Sequence, residues 1–167
     1  GLGDVYKRQE YGHTAGVDAS TGPLGHGFAM GVGFAVAEAM LAAKYNKPEF
    51  TVIDHYTYGL TSDGDLMEGV ASEAASLAGT LGLGKLIYLY DDNKITIEGS
   101  TDIAFTEDVE ARFKAYGWQV LRVADSEDIE AMEAAVKEAQ ADTEHPSLII
   151  VRTHIGYGSP KQDSASC

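Results

Sequence analysis

Two apolar runs of strand length, Tyr56-Thr57-Tyr58-Gly59-Leu60 and Leu86-Ile87-Tyr88-Leu89-Tyr90, flank a stretch rich in helix formers from Leu66 to Gly79. The second run is apolar at nearly every position, as in a strand buried on both faces. The pattern predicts a strand–helix–strand unit with both strands parallel in one sheet. Upstream, Phe28 to Tyr45 predicts a helix filled with small residues, among them Ala29, Gly31, Gly33, Ala35 and Ala39, ending at Asn46-Lys47-Pro48. A glycine inside a helix costs about 1 kcal/mol relative to alanine, so close backbone approach to a neighbour is expected there. Phe50 to Ile53 is β-like. Asp65-Leu66-Met67-Glu68 fits a capping box, with Asp65 as N-cap and Glu68 reaching back. Gly79, Gly82 and Gly84 mark the exit of that helix.

Further along, Asp91 to Phe105 predicts a long loop, and Thr106 or Glu107 caps a helix running to Tyr116. Trp118 to Val123 predicts a strand. Ile129, Met132, Val136 and Ala139 recur at helical spacing within Asp128–Gln140, and Leu148 to Arg152 forms a last strand after Pro146. Strands alternating with helices predict an α/β fold with a mainly parallel sheet.

Composition narrows the function classes. A chain of 167 residues, 44% apolar and 23% charged, fits one globular domain. Twelve basic against 26 acidic residues give a net charge of −14, which disfavours nucleic acid as a partner. No apolar run approaches the ~18 residues of a membrane span, so no membrane role is expected. One cysteine, Cys167, permits no internal disulfide and points to a reducing, cytoplasmic setting.

The candidate chemistry lies at the strand ends. Asp63-Gly64 follows the first central strand and Asp92-Asn93 the second, so Asp63 and Asn93 are expected at one carboxyl edge, where open α/β sheets bind ligands. A carboxylate and an amide oxygen are hard donors suited to Mg²⁺, and Ile95 could add a backbone carbonyl. Such a metal would hold a phosphorylated ligand against the acidic average field. Gly22-Pro23-Leu24-Gly25-His26-Gly27 is not G-x-G-x-x-G; it is either a tight turn for helix packing or a backbone surface against a flat ring or phosphate. Glu68 is either the capping partner of Asp65 or a catalytic carboxylate. The five histidines show no metal-ligand spacing.

These residues, with the strings around them, resemble transketolase. Ser62-Asp63-Gly64-Asp65 followed by Asp92-Asn93 is similar to the thiamine diphosphate signature, and Thr21-Gly22-Pro23-Leu24-Gly25, Leu66-Met67-Glu68-Gly69, Tyr90-Asp91-Asp92-Asn93 and Ile155-Gly156-Tyr157-Gly158-Ser159-Pro160 narrow it. The likeness runs from Glu10 to Ser166; Gly1–Gln9 and Cys167 fit nothing in the family and are expected to be foreign to it. It implies a three-layer α/β/α thiamine diphosphate-binding fold. It further implies Mg²⁺ or Ca²⁺ on Asp63, Asn93 and the Ile95 carbonyl, with the cofactor diphosphate against Gly64 and Asn93. Gly22, Pro23 and Leu24 would lie on the aminopyrimidine with Ile97 nearby, and Glu68 would join a carboxylate network across a homodimer. The implied reaction moves a two-carbon ketol unit from a ketose phosphate to an aldose phosphate, with the cofactor as electron sink. Ser62 stands where many members have glycine, and the chain covers only the diphosphate-binding part, so it is expected to be a fragment inactive alone. The alternatives are another thiamine-dependent ketol transferase or synthase, and a non-catalytic cofactor-binding or subunit module.

Overall fold

The computed structural model describes residues 10–164, so the expectations for Gly1–Gln9 and Cys167 fall outside the described residues. Four strands, β1 (Thr57–Ser62), β2 (Leu86–Asp92), β5 (Gln119–Val123) and β6 (Ser147–Arg152), form one sheet in the order β1-β2-β6-β5. Every pairing in it is parallel. Leu86, Tyr88, Tyr90, Leu148 and Ile150 point to a core shared with α1 (His26–Tyr45), α2 (Asp63–Met67), α3 (Gly69–Leu81) and α4 (Val109–Ala115). Ile87, Ile149 and Val151 point the other way, onto α5 (Ile129–Ala141). The sheet is therefore sandwiched, and alternate side chains of one strand enter opposite cores.

Several boundaries move for identifiable reasons. Helix α1 begins at His26, because Gly25 takes φ 75° as its N-cap. The helix predicted over Leu66–Gly79 is two helices broken at Glu68, whose extended backbone (φ −75°, ψ 138°) ends α2 and starts α3. The capping box lies one turn earlier than Asp65/Glu68: the Asp65 carboxylate reaches back to the Ser62 N–H. Phe50–Ile53 is not a strand; Phe50 makes an isolated bridge to Lys47, while Asn46 holds Val52 and Ile53 by side-chain hydrogen bonds. The loop after Asp92 contains a small hairpin, β3 (Ile95–Thr96) with β4 (Gly99–Ser100). Asp108, not Thr106 or Glu107, caps α4, accepting from Ala111 N–H at 3.0 Å.

The glycine-rich α1 is explained at one position. A Cβ on Gly31 would stand 2.0 Å from the Tyr88 hydroxyl, and that hydroxyl donates to the Phe28 carbonyl at 2.8 Å. Gly59 on β1 leaves room for the same ring from the other side. Tyr88 thus crosses between helix and edge strand, stacked on Phe28 at 4.3 Å. Gly31→Ala is expected to cost about 2 kcal/mol by overpacking, and less when combined with Tyr88→Phe, because the hydroxyl it strikes is gone. Urea unfolding read by the one tryptophan, Trp118, buried in the same cluster, measures the coupling.

Contrary to the sequence reading, α1 is long and apolar enough to cross a bilayer, with 20 residues and a mean hydropathy of 1.4. Its position on the sheet and its buried Glu38, paired with Lys85 at 2.8 Å, tie it to the globular core instead. The outer sides of α1 and α3 remain apolar and exposed at Phe34, Met40, Leu41, Leu77 and Leu81.

Candidate functional site

Parallel pairing with Ser62 opposite Asp91 puts Asp63 and Asn93 just beyond the carboxyl ends of adjacent strands, at the edge the sequence predicted. Asp63 opens α2 yet is only 1% exposed. Its Oδ1 accepts a short hydrogen bond from the Tyr90 hydroxyl, whereas its Oδ2 is buried with no hydrogen-bond partner. Burial pushes the Asp63 carboxyl above its ordinary range, and the neighbouring Asp92 carboxylate adds to this; the Tyr90 bond and Lys94 pull the other way. The Tyr90 phenol is held far above its usual range, first by burial and then by its bond to Asp63, so it stays a neutral donor.

Tyr90 and Asp92 stand in the motif strings read from the sequence, but no role at the site was assigned to either. Both share a face of β2, and Asp92 is buried, paired with Lys94 at 2.6 Å. The Asp92 carbonyl accepts from the Arg152 guanidinium at 2.7 Å, which joins β6 to the site. The alternation Tyr88, Tyr90, Asp92 was the available signal, since period-two residues share one side of a strand.

Asn93 lies half-buried in a tight turn. Lys94 takes φ 65°, and the Ile95 N–H returns to the Asn93 side-chain oxygen at 2.8 Å. That oxygen has a second lone pair. The Ile95 residue opens β3, and Ile97, at the hairpin tip, is 84% exposed.

The glycine turn meets the same edge. Gly25 N–H donates to Asp65 Oδ1 at 2.9 Å, and the two Leu24 methyl carbons would lie 3.6 Å from a Cβ on Gly64. Gly22, Pro23 and Leu24 are exposed, Leu24 at 48%. Glu68 is exposed at the break between α2 and α3, its stem against Gly25. The structure therefore joins Gly22–Gly25, Asp63–Asp65 and Glu68 in one assembly, and sets Asp63 on Tyr90 beside the Asp92–Lys94 pair.

The donor set fits a hard divalent cation. An orphaned, buried carboxylate oxygen is costly unless a positive partner meets it. Asp63, the Asn93 amide and the Ile95 carbonyl are all oxygen donors, and Mg²⁺ takes few protein ligands when phosphate and water complete its shell. Among the described residues no group of three His, Cys, Asp or Glu side chains could hold a metal, so a cation at this edge would depend on the amide and carbonyl oxygens beside Asp63.

Two hollows flank Tyr90 at this edge, one of about 250 Å³ by Asp92 and Lys94 and one of about 330 Å³ by Leu60, Ser62, Asp65 and Asp91. Organic cofactor pockets usually enclose about 300–1,000 Å³. Neither hollow is lined by Asp63, Gly64, Asn93 or the exposed Gly22–Leu24 turn, so those residues form an open wall rather than the lining of either hollow.

Residues 7–166 match the family model described as the transketolase thiamine diphosphate-binding domain. The chain is 57% identical over 157 residues to a transketolase of Streptococcus pyogenes serotype M6, covering 94% of this chain and 22% of the relative. It is 59% identical over 157 residues to a transketolase of Geobacillus stearothermophilus, covering 94% and 24%. Among solved structures, a Pichia stipitis transketolase complexed with sedoheptulose-7-phosphate is 53% identical, with a TM-score of 0.89 over 92% of this chain and 23% of that one. The chain thus spans about a quarter of the length of the proteins it matches.

Proposed function

The chain belongs to the transketolase family, through its thiamine diphosphate-binding domain, and on that footing we propose that the full-length protein transfers a two-carbon ketol unit between sugar phosphates. The observation that carries the reading is the buried Asp63, one oxygen bonded by Tyr90 and the other without a partner, beside the exposed Gly22-Pro23-Leu24 turn. Asp63 Oδ2, the Asn93 side-chain oxygen and the Ile95 carbonyl would hold Mg²⁺ or Ca²⁺ against a diphosphate. Gly64 gives that diphosphate room, since it carries no side chain. Gly22, Pro23 and Leu24 offer backbone and an apolar surface to the aminopyrimidine, and Ile97 an apolar surface beside it. Thiamine diphosphate, when bound, supplies an electron sink for breaking the carbon–carbon bond next to a ketose carbonyl.

Within this wall, Tyr90 keeps one Asp63 oxygen occupied and so presents the other to the cation. Lys94 neutralises Asp92 and limits the negative field at the diphosphate. Glu68, exposed at the helix break, is free to enter a carboxylate network with a second subunit. Exposed Phe34, Leu41, Leu77 and Leu81 suit burial against a second copy, and a homodimer is proposed on that basis. A cytoplasmic setting is proposed on the single cysteine.

The test uses a ketose phosphate donor and an aldose phosphate acceptor. The full-length protein is expected to exchange the ketol unit only with thiamine diphosphate and a divalent cation present. The 167-residue chain alone is expected to be inactive, because one wall does not enclose the cofactor. No exchange by the full-length protein at saturating cofactor and Mg²⁺ would overturn the reading; exchange by the short chain would refute its dependence on the rest of the protein.

A further inference from the structure

Asp65 has no role in the set of groups proposed to touch the cofactor, yet its two oxygens serve two different loops. Oδ1 accepts from the Gly25 N–H at 2.9 Å, across a separation of 40 positions. Oδ2 accepts from the Ser62 N–H and the Ser62 hydroxyl, each at 3.1 Å. Gly25 is buried, has φ +75° and serves as N-cap of α1, where no side chain of its own neighbourhood caps the helix. A carboxylate at that point satisfies a terminal N–H and meets the positive end of a 20-residue helix.

The packing around this joint is tight. A Cβ on Gly25 would lie 2.9 Å from both Glu68 Cβ and Val70 Cγ1, so no larger residue fits. Leu24 lies over Gly64, its methyl carbons 3.6 Å from where a Cβ would stand. Turn Gly22–Gly25 and the β1–α2 junction at Ser62–Asp65 are held as one body, and Asp65 is the polar link between them.

We propose that Asp65 is a positioning residue that fixes the distance between the turn facing the ring end of the cofactor and the loop facing its diphosphate. The ligand's identity rests on the function proposed above; the link itself rests only on the hydrogen bonds. A ligand that spans both parts feels the link, whereas one that occupies the diphosphate loop alone does not.

Asp65→Asn in the full-length protein keeps the side-chain size but leaves one acceptor oxygen for two backbone donors, and turns an NH₂ toward the other. The dissociation constant of thiamine diphosphate with Mg²⁺ is expected to rise about tenfold, the scale of one lost charge-assisted hydrogen bond. That of inorganic pyrophosphate with Mg²⁺ is expected to stay unchanged, and the Gly25 amide of the ligand-free protein to exchange about tenfold faster. Ser62→Ala, which keeps the Gly25 bond, is expected to keep the wild-type preference for thiamine diphosphate over pyrophosphate. Equal weakening of both ligands by Asp65→Asn, weakening of neither, unaltered Gly25 exchange, or a lost preference in Ser62→Ala would each overturn the proposal. If the unmodified protein binds no thiamine diphosphate, the functional reading fails while the exchange measurement still decides the link.

Discussion

Asp63→Asn is expected to raise the melting temperature of the ligand-free protein while removing its Mg²⁺-dependent capture of thiamine diphosphate. The two effects have one origin. Asp63 is 1% exposed and its Oδ2 has no partner, so the empty protein carries a desolvated carboxylate. An asparagine keeps the Tyr90 bond through its oxygen and buries no charge. A gain of about 1 kcal/mol shifts the melting temperature of a domain this size by roughly 2–4 °C. Against that, loss of an anionic ligand is expected to weaken cofactor binding at limiting Mg²⁺ by about 100-fold or more, since even groups behind the ligands of a metal typically matter 10- to 100-fold. Calorimetric titration of the full-length protein, with and without Mg²⁺, reads the second effect; scanning of the unliganded protein reads the first. Unchanged affinity would remove Asp63 from the metal site, and a lower melting temperature would mean that its charge is already compensated.

Gly79→Ala and Gly33→Ala are expected to move stability in opposite directions, although both replace a glycine in a helix. On α3, a Cβ at position 79 would sit 1.8 Å from the Tyr116 carbonyl oxygen, a backbone atom that no rotamer change relieves. The helix must then move off the α4–β5 turn. That turn includes Gly117 at φ 86° and leads into Trp118, whose indole donates to the Ala75 carbonyl at 2.8 Å. The cost should reach about 3 kcal/mol, at the upper end of overpacking, or roughly 6–12 °C in melting temperature. On α1, a Cβ at position 33 would meet nothing within 4 Å. There only the conformational freedom of the unfolded chain changes, and alanine should gain about 0.5–1 kcal/mol. Paired unfolding curves read by Trp118 fluorescence decide both; equal shifts would show that helix propensity, not contact, governs the two sites.

Legibility in the sequence followed the length of the pattern. Leu86–Tyr90 is apolar on both faces and was recognisable as a central strand, and the spacing of Ile129, Met132, Val136 and Ala139 gave α5 to within a residue. Short features were ambiguous. Ser62…Asp65 and Asp65…Glu68 are overlapping capping-box patterns, and the end of β1 decides between them. The two-residue strands β3 and β4 are too brief to show a period. At the proposed site, Asp63, Gly64 and Asn93 stood out by their types and spacing. Tyr90 did not: alternation puts it on the face of Asp92, but its bond to Asp63 shows only once β1 and β2 are paired. Asp65 was legible as a capping-box residue, though read as the N-cap where it is the N3 partner of Ser62, and not as the partner of Gly25, a contact across 40 positions with no local trace.

The strand order β1-β2-β6-β5 has a consequence for biosynthesis. The segment that bridges the two halves, Ser147–Arg152, leaves the ribosome after all the others, so β2 and β5 wait with bare hydrogen-bonding edges until it arrives. Closure of the sheet is therefore a late, long-range event, of the kind that folds slowly and leaves nascent chains prone to associate wrongly. A translational pause placed just before Pro146 would lengthen that exposure, and one placed well beyond Arg152 would give the sheet time to close.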